Sequence, residues 1–254
     1  MKSFIRRVAR RGVSLFIPDS VRFENAILPA RHLRLCGPEF RRDSYFLASA
    51  KAEADRLIQQ FGLIEKSSVL DVGCGVGRLS IGIISQLGNI QKYRGIDISK
   101  ASIRWCQKHI TSKHPNFQFI HIDASNPRYN PKGVKIGVDF KLPFDDHEFD
   151  IIYLYSVFSH MTIDDIKVYL KEFKRLLAPS GKIFLTAFIA DGVPDMTVNP
   201  PDYQLKNWSG PLHCVRYNKD FFSALLAEND FVIDRMDYEQ ETNGQSAIYV
   251  SKRK

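Results

Sequence analysis

Apolar residues fall at helical spacing along "SYFLASAKAEADRLIQQFGL", through Ala48, Ala52, Leu57 and Ile58, and Gly62 offers a left-handed stop. Beyond it the period changes. "SSVLDVG" reads as a short buried strand, and "VGRLSIGIISQLG" as a helix ending at Gly88. "KYRGIDIS" predicts a second strand, followed by the helix "SKASIRWCQKHITSKH" with Ser99 as its N-cap. "FQFIHIDAS" and "FDIIYLYSVF" are third and fourth strands, the latter rich in β-branched and aromatic residues. In "TIDDIKVYLKEFKRLLA", Thr162 and Asp165 have the spacing of a capping box; the helix stops at "PSG", and "KIFLTAFIA" is a fifth strand. Strands alternating with helices imply right-handed βαβ units and a parallel sheet. After the helix "NKDFFSALLAEN", only "QETNGQ" separates the strands "FVIDRMDYE" and "SAIYVSKR". That link is too short for a crossover, so the sheet ends in an antiparallel pair.

The first 42 residues break this regularity. Pro18, Pro29 and Pro38 forbid one long helix there. In "RVARRGVSLF", Val8, Leu15 and Phe16 share a face while Arg6, Arg7, Arg10 and Arg11 cover the others, an arrangement suited to an anionic membrane surface or to packing on the rest of the chain. The organisation expected is a basic arm over 1–42 and a single α/β domain over 43–254.

Composition sharpens only part of this. The 254 residues, 44% hydrophobic and 25% charged, describe an ordinary globular chain. The net charge is +8, but 1–42 holds ten Lys/Arg against three acids, and the remainder is nearly neutral. A basic arm follows, not a nucleic-acid-binding surface over the whole protein. Cys36, Cys74, Cys106 and Cys214 are scattered without a CxxC pair, which suggests neither a zinc site nor a disulfide framework. No apolar run approaches the roughly 18–20 residues of a membrane span, and "GVSLFI" is too short for a signal peptide. These features together indicate a cytoplasmic protein, with a peripheral membrane contact open through the arm.

The chemistry concentrates in "VLDVGCGVGRLS". A strand, a glycine turn and a helix start present free backbone N–H groups at the C-terminal edge of a sheet. Gly73, Gly75 and Gly77 form GxGxG, not the dinucleotide GxGxxG, and no GK[ST] follows. Asp71 stands two residues before the first glycine, which suits a ligand with an ammonium group better than a pyrophosphate. Asp97 ends the second strand, 24 residues after Gly73, where an acid accepts from ribose hydroxyls. Asp123 ends the third, where its carboxylate can accept from an adenine amino group while Ala124 leaves room for the ring. An acid after each of three successive strands describes one ligand: amino acid, ribose, adenine.

With "RGIDIS", "IDA", "LPFDDHEFDIIYLYSVFSHM" and "YLKEFKRLLAPSGKIFLTAF" following in order, the chain resembles class I S-adenosylmethionine-dependent methyltransferases over roughly 44–253. The resemblance implies a Rossmann-like, doubly wound α/β fold: a seven-stranded sheet of order 3-2-1-4-5-7-6, mostly parallel with an antiparallel final strand. It implies S-adenosylmethionine as cofactor, with Gly73, Gly75 and Gly77 at the methionyl end, Asp97 at the ribose and Asp123 at the adenine. Asp71, Ile98, Ala124 and Tyr155 are expected alongside them. One departure is the insertion over about 124–141, "ASNPRYNPKGVKIGVDFK", which reads equally as a substrate lid bearing Arg128 and Tyr129 or as a surface hairpin.

For the reaction, "YSVFSHM" at the end of the fourth strand offers His160, whose ordinary pKa suits proton acceptance near neutrality. His213, in "GPLHCVRYN", is a second candidate, with Arg216 and Tyr217 beside it to orient an acidic or sugar substrate. The expected reaction is methyl transfer to oxygen or nitrogen of a small-molecule, sugar or lipid-linked acceptor. The sequence "YSVF" is unlike the NPPY type, which disfavours a nucleobase. Two rival readings share some of these features: an NAD(P)-dependent oxidoreductase, and a catalytically inactive methyltransferase-fold protein that binds membranes.

Overall fold

The computed structural model describes residues 18–35, 37–201 and 209–253. In chain order its strands and helices are β1 (Ser20–Phe23), β2 (Ala26–Pro29), α1 (Asp43–Phe61), β3 (Ser68–Val72), α2 (Arg78–Leu87), β4 (Lys92–Asp97) and α3 (Lys100–Cys106). There follow β5 (Phe117–His121), β6 (Phe149–Leu154), α4 (Ile163–Leu176), β7 (Leu177–Ala190), β8 (Met196–Val198), β9 (Val215–Asn218), α5 (Lys219–Glu228), β10 (Phe231–Asp237) and β11 (Ser246–Lys252).

The local signals explain where the helices start and stop. Gly62 ends α1 in the left-handed region, at φ 70°. Ser99 caps α3, Asn218 caps α5, and the Thr162–Asp165 capping box at α4 is complete in both directions. The main sheet runs β5-β4-β3-β6-β7-β11-β10, which is the order 3-2-1-4-5-7-6 in the numbering of a seven-stranded sheet. β4, β5, β6 and β7 pair in parallel around β3, while β11 lies antiparallel between β7 and β10.

Because successive strand residues face opposite ways, the two faces carry different cores. Leu70, Ile152, Leu154, Ile183 and Leu185 pack with Leu170 and Phe173 of α4 and Phe222 of α5. Val69, Tyr93, Ile151, Tyr153 and Phe184 pack on the other face with Leu57 of α1, Ile81 of α2 and Ile103 of α3.

Several expectations need correction. Residues 18–35 and 37–42 belong to the globular unit and do not form a separate arm: β1 and β2 form an antiparallel hairpin, and Leu28, Phe40 and Arg34 are buried. Arg34 donates to the carbonyls of Pro29 and Phe40 and pairs with Asp43, while the Trp105 indole donates to the Asp19 carbonyl at 2.7 Å. The globular unit therefore begins ahead of residue 43. The amphipathic stretch inside 1–17 lies outside the described residues. The 124–141 insertion, broken by proline and glycine, does not form the regular strands of a surface hairpin. It folds instead as a tight loop bridged at Ala124–Val134 and Asn126–Asn130. β7 starts earlier than expected, at Leu177, and absorbs the "APSG" stretch through a shift of register against β6. Finally, β9 adds in parallel to the end of β7 and carries β8 antiparallel to it.

Candidate active site

The parallel order places the ends of β3, β4, β5 and β6 along one edge, and the GxGxG loop turns there. The loop is bound to its neighbours through its own amides: Gly73 and Cys74 both donate to the Ile96 carbonyl of β4, at 2.8 and 3.0 Å. Gly73 has φ 71°, and a Cβ on it would lie 2.5 Å from the Val157 side chain, so residue 157 seals the loop from above. Gly75 has φ 52°, and nothing lies within 4 Å of where a Cβ would stand, so its left-handed backbone faces open space. α2 then begins with no side-chain cap on its first N–H groups.

Asp97 closes the loop from the adjacent strand. Its Oδ2 accepts from the Gly75 amide at 2.8 Å and its Oδ1 from the Ser99 amide at 2.6 Å. Burial raises its pKa above the ordinary carboxylate value, opposed by these two N–H donors and by His121. An ionised carboxylate offers about four acceptor positions, so about two remain open. Ile98 supplies its carbonyl to the His121 ring at 3.2 Å. Asp123 is exposed at the end of β5 and takes the Asn130 side-chain amide at 2.9 Å, with Ala124 buried next to it.

Asp71 departs from expectation. It is 2% exposed, and its carboxylate takes a hydrogen bond from the Tyr93 hydroxyl, so an ammonium group does not reach it in this conformation. Burial pushes its pKa up to about 7, against the pull of Tyr93 and Arg78. The folded protein thus retains this proton up to about pH 7, while an unfolded chain releases it near 3.8. Stability contributed at low pH is therefore lost as pH rises through that window. Asp71→Asn is expected to gain stability relative to wild type between about pH 5 and about pH 8, read as the difference in urea midpoints. A difference that stays constant with pH would show that ionising this carboxyl costs nothing.

Around the end of β6 the structure surrounds the expected Tyr155 with groups that sequence reasoning missed. Tyr155 donates to Glu241 and shares a hydrogen bond with Thr242, and burial pushes its pKa up to about 12. The Arg78 guanidinium lies 4.6 Å from the Tyr155 ring centre, and Arg56 bridges Glu241 at 2.6 Å and Glu53 at 3.5 Å. Ser156 has φ 57°, an unusual conformation for serine. It is held there because its N–H donates to Thr186, Thr186 donates to Gln245, and the Gln245 amide donates to the Ser156 hydroxyl. Gln245 and Thr186 are buried, and this closed ring fixes the edge of the strand.

His160 and His213 do come together, and burial shifts both imidazoles. His160 donates from Nδ1 to the Leu212 carbonyl at 3.0 Å, and burial lowers its pKa to about 4. It is neutral at physiological pH and keeps an acceptor lone pair on Nε2. Burial likewise lowers the pKa of His213, with Arg128 adding to the effect. Tyr217 is fully buried, its hydroxyl donating to the Phe158 and Met161 carbonyls, so it orients the turn Phe158–His160 and not a substrate. Arg216 sits on the alternate face of β9, in register with Phe188.

Residues 70–185 match the family model described as a methyltransferase domain. Fold and match together define a methyltransferase domain with a Rossmann-like sheet in this part of the chain. An uncharacterized protein of Haemophilus influenzae is 27% identical over 131 residues, 52% of this chain and 46% of its own length. The chain thus spans about half the length of that relative. Among solved structures, the Burkholderia thailandensis 1,6-didemethyltoxoflavin-N1-methyltransferase with bound S-adenosylhomocysteine superposes with a TM-score of 0.55 at 15% identity, covering 84% of this chain and 82% of that one. The magnesium protoporphyrin IX methyltransferase of Synechocystis PCC 6803 with bound S-adenosylmethionine gives 0.54 at 16%, covering 88% and 90%. The cyclase SpnF gives 0.56 at 16%, covering 81% and 82%, so this similarity speaks to fold and not to reaction.

Proposed function

We propose that this protein transfers a methyl group from S-adenosylmethionine to an oxygen or nitrogen of a small-molecule, sugar or lipid-linked acceptor. The observation that carries it is the Gly75–Asp97 pairing. The carboxylate that sets the glycine loop still has about two acceptor positions, matching the two hydroxyls of a ribose. Gly75 leaves the backbone bare beside it, where a methionyl group can lie along the loop. Asp123 and Ala124, one strand further, suit the adenine. These residues fit the cofactor; Asp71 supports the loop from beneath without touching it.

The cofactor supplies an electrophilic sulfonium methyl. What the protein supplies is placement, which in well-oriented systems is worth roughly 7–11 kcal/mol of barrier. Ser156, held by Thr186 and Gln245, and the turn after it form the edge against which an acceptor is positioned. Around this edge Tyr155 stays protonated and His160 neutral, so the site relies on hydrogen bonding and alignment more than on a strong base. Both methyltransferases named above are named for small-molecule acceptors, which supports that class here.

A methyl-transfer assay with labelled S-adenosylmethionine against pools of sugars, lipid-linked sugars and small metabolites tests the reading. Turnover on one of these, lost in Asp97→Ala, is the expected result. Methylation of RNA alone would sink the small-molecule assignment.

A further inference from the structure

Three segments distant in sequence meet just past the end of β6: the loop 123–134, the turn Phe158–His160 and residues 209–214. Asn126 joins the first two by donating to the His160 carbonyl at 2.9 Å, and its side-chain oxygen fixes the Arg128 and Tyr129 amides. Arg128 Nη1 donates to the Ser209 carbonyl at 3.1 Å, tying in the third. The Ser209 amide donates to His213 Nδ1 at 2.9 Å, and the Tyr129 ring stands edge-on to His160 with centres 5.3 Å apart. His160 follows Val157, the residue that packs over Gly73, so this cluster borders the glycine loop.

The hydrogen bonds fix what each side chain presents. His213 accepts at Nδ1, so its neutral form carries the proton on Nε2; His160 donates from Nδ1 and presents a lone pair on Nε2. Arg128 spends Nη1 on one carbonyl, its Nε is buried with no hydrogen-bond partner, and among the described residues it forms no ion pair. A guanidinium so placed, with donors in a planar fork and no carboxylate of the described residues against it, is the arrangement that receives a phosphate or carboxylate.

We propose that Arg128 and His213 hold an anionic group of the methyl acceptor, a phosphate or a carboxylate, while His160 Nε2 accepts from a hydroxyl beside it. This rests on the methyltransferase reading above and narrows its acceptor to a charged one. The electrostatics agree: Arg128 depresses both imidazoles. An anion seated against Arg128 offsets that depression, so its binding raises the His213 pKa.

The test follows the histidine ring resonances of the full chain by NMR during titration with inorganic phosphate, D-glucuronate and neutral D-glucose, at constant pH and ionic strength. Each titration is run with and without saturating S-adenosylhomocysteine. Phosphate, glucuronate or both should shift His160 and His213 saturably and raise the His213 pKa, while glucose does neither. Phosphate alone identifies a phosphoester acceptor, and glucuronate alone a sugar acid. In Arg128→Gln the anion's dissociation constant should rise about tenfold or more, with S-adenosylhomocysteine affinity unchanged as the check on folding. The proposal is overturned if neither anion shifts the rings saturably, if glucose shifts them equally, or if Arg128→Gln binds the anion as well as wild type. Failure of S-adenosylhomocysteine to bind wild type would overturn the cofactor reading instead, and the anion titration without it would still be read.

Discussion

Asp97→Ala weakens S-adenosylmethionine binding by about a hundredfold or more. Two hydrogen bonds from ribose hydroxyls to an ionised acceptor contribute roughly 1.5–3 kcal/mol each, and a loss of about 3 kcal/mol is already more than a hundredfold in Kd. The loop adds to this. With the carboxylate gone, the Gly75 and Ser99 amides lose their acceptor, and the bare turn is no longer tied to β4 through that side chain. Asp97→Asn keeps one acceptor oxygen and should fall between. Isothermal titration of the three proteins checks the order; a normal affinity in Asp97→Ala would place the ribose elsewhere.

The largest effect on stability belongs to Gly82, in the middle of α2. A Cβ there would lie 1.9 Å from the Ala50 carbonyl oxygen and 2.5 Å from its carbon, so two helix backbones meet where only hydrogen fits. Alanine is favoured over glycine in a helix by about 1 kcal/mol, which argues for stabilisation at a solvent-facing site. Here the obstacle is main chain of α1, and Ala50 and Ala54 are fully buried, so nothing can swing aside. Gly82→Ala is expected to cost about 3 kcal/mol net, lowering the melting temperature by roughly 6–12 °C in a chain of this size. It should weaken cofactor binding as well, because α2 carries the glycine loop. An unchanged melting temperature would mean the helices separate freely.

Much of the frame was legible because it depends on local signals. The period change after Gly62, the caps at Ser99 and Thr162, and the short link before "SAIYVSKR" together specify helices, strands and the antiparallel ending. Asp97 and Asp123 were legible as strand-end acids. The rest depends on contacts between distant residues. Nothing local marks Tyr93 as the partner of Asp71, since only the register of β3 against β4 brings them together. The Ser156–Thr186–Gln245 ring draws on the turn after β6, the interior of β7 and the residue before β11, and is invisible along the chain. Glu53 was missed because the α1 face read through Ala48 and Ala52 is exposed; the buried face runs through Ala50, Glu53, Ala54 and Leu57, and Glu53 accepts from the Tyr153 hydroxyl at 2.9 Å. The lowered pKa of His160, about 4, comes from the burial around it, which sequence cannot carry.

The measurement that bears most directly on the cofactor assignment is a pair of calorimetric titrations of the wild-type chain, one with S-adenosylmethionine and one with NAD. Saturable binding of S-adenosylmethionine, competed by S-adenosylhomocysteine, with no heat from NAD, is the result that the glycine loop and the acids at the ends of β4 and β5 predict. Binding of NAD, or of neither ligand, would contradict it.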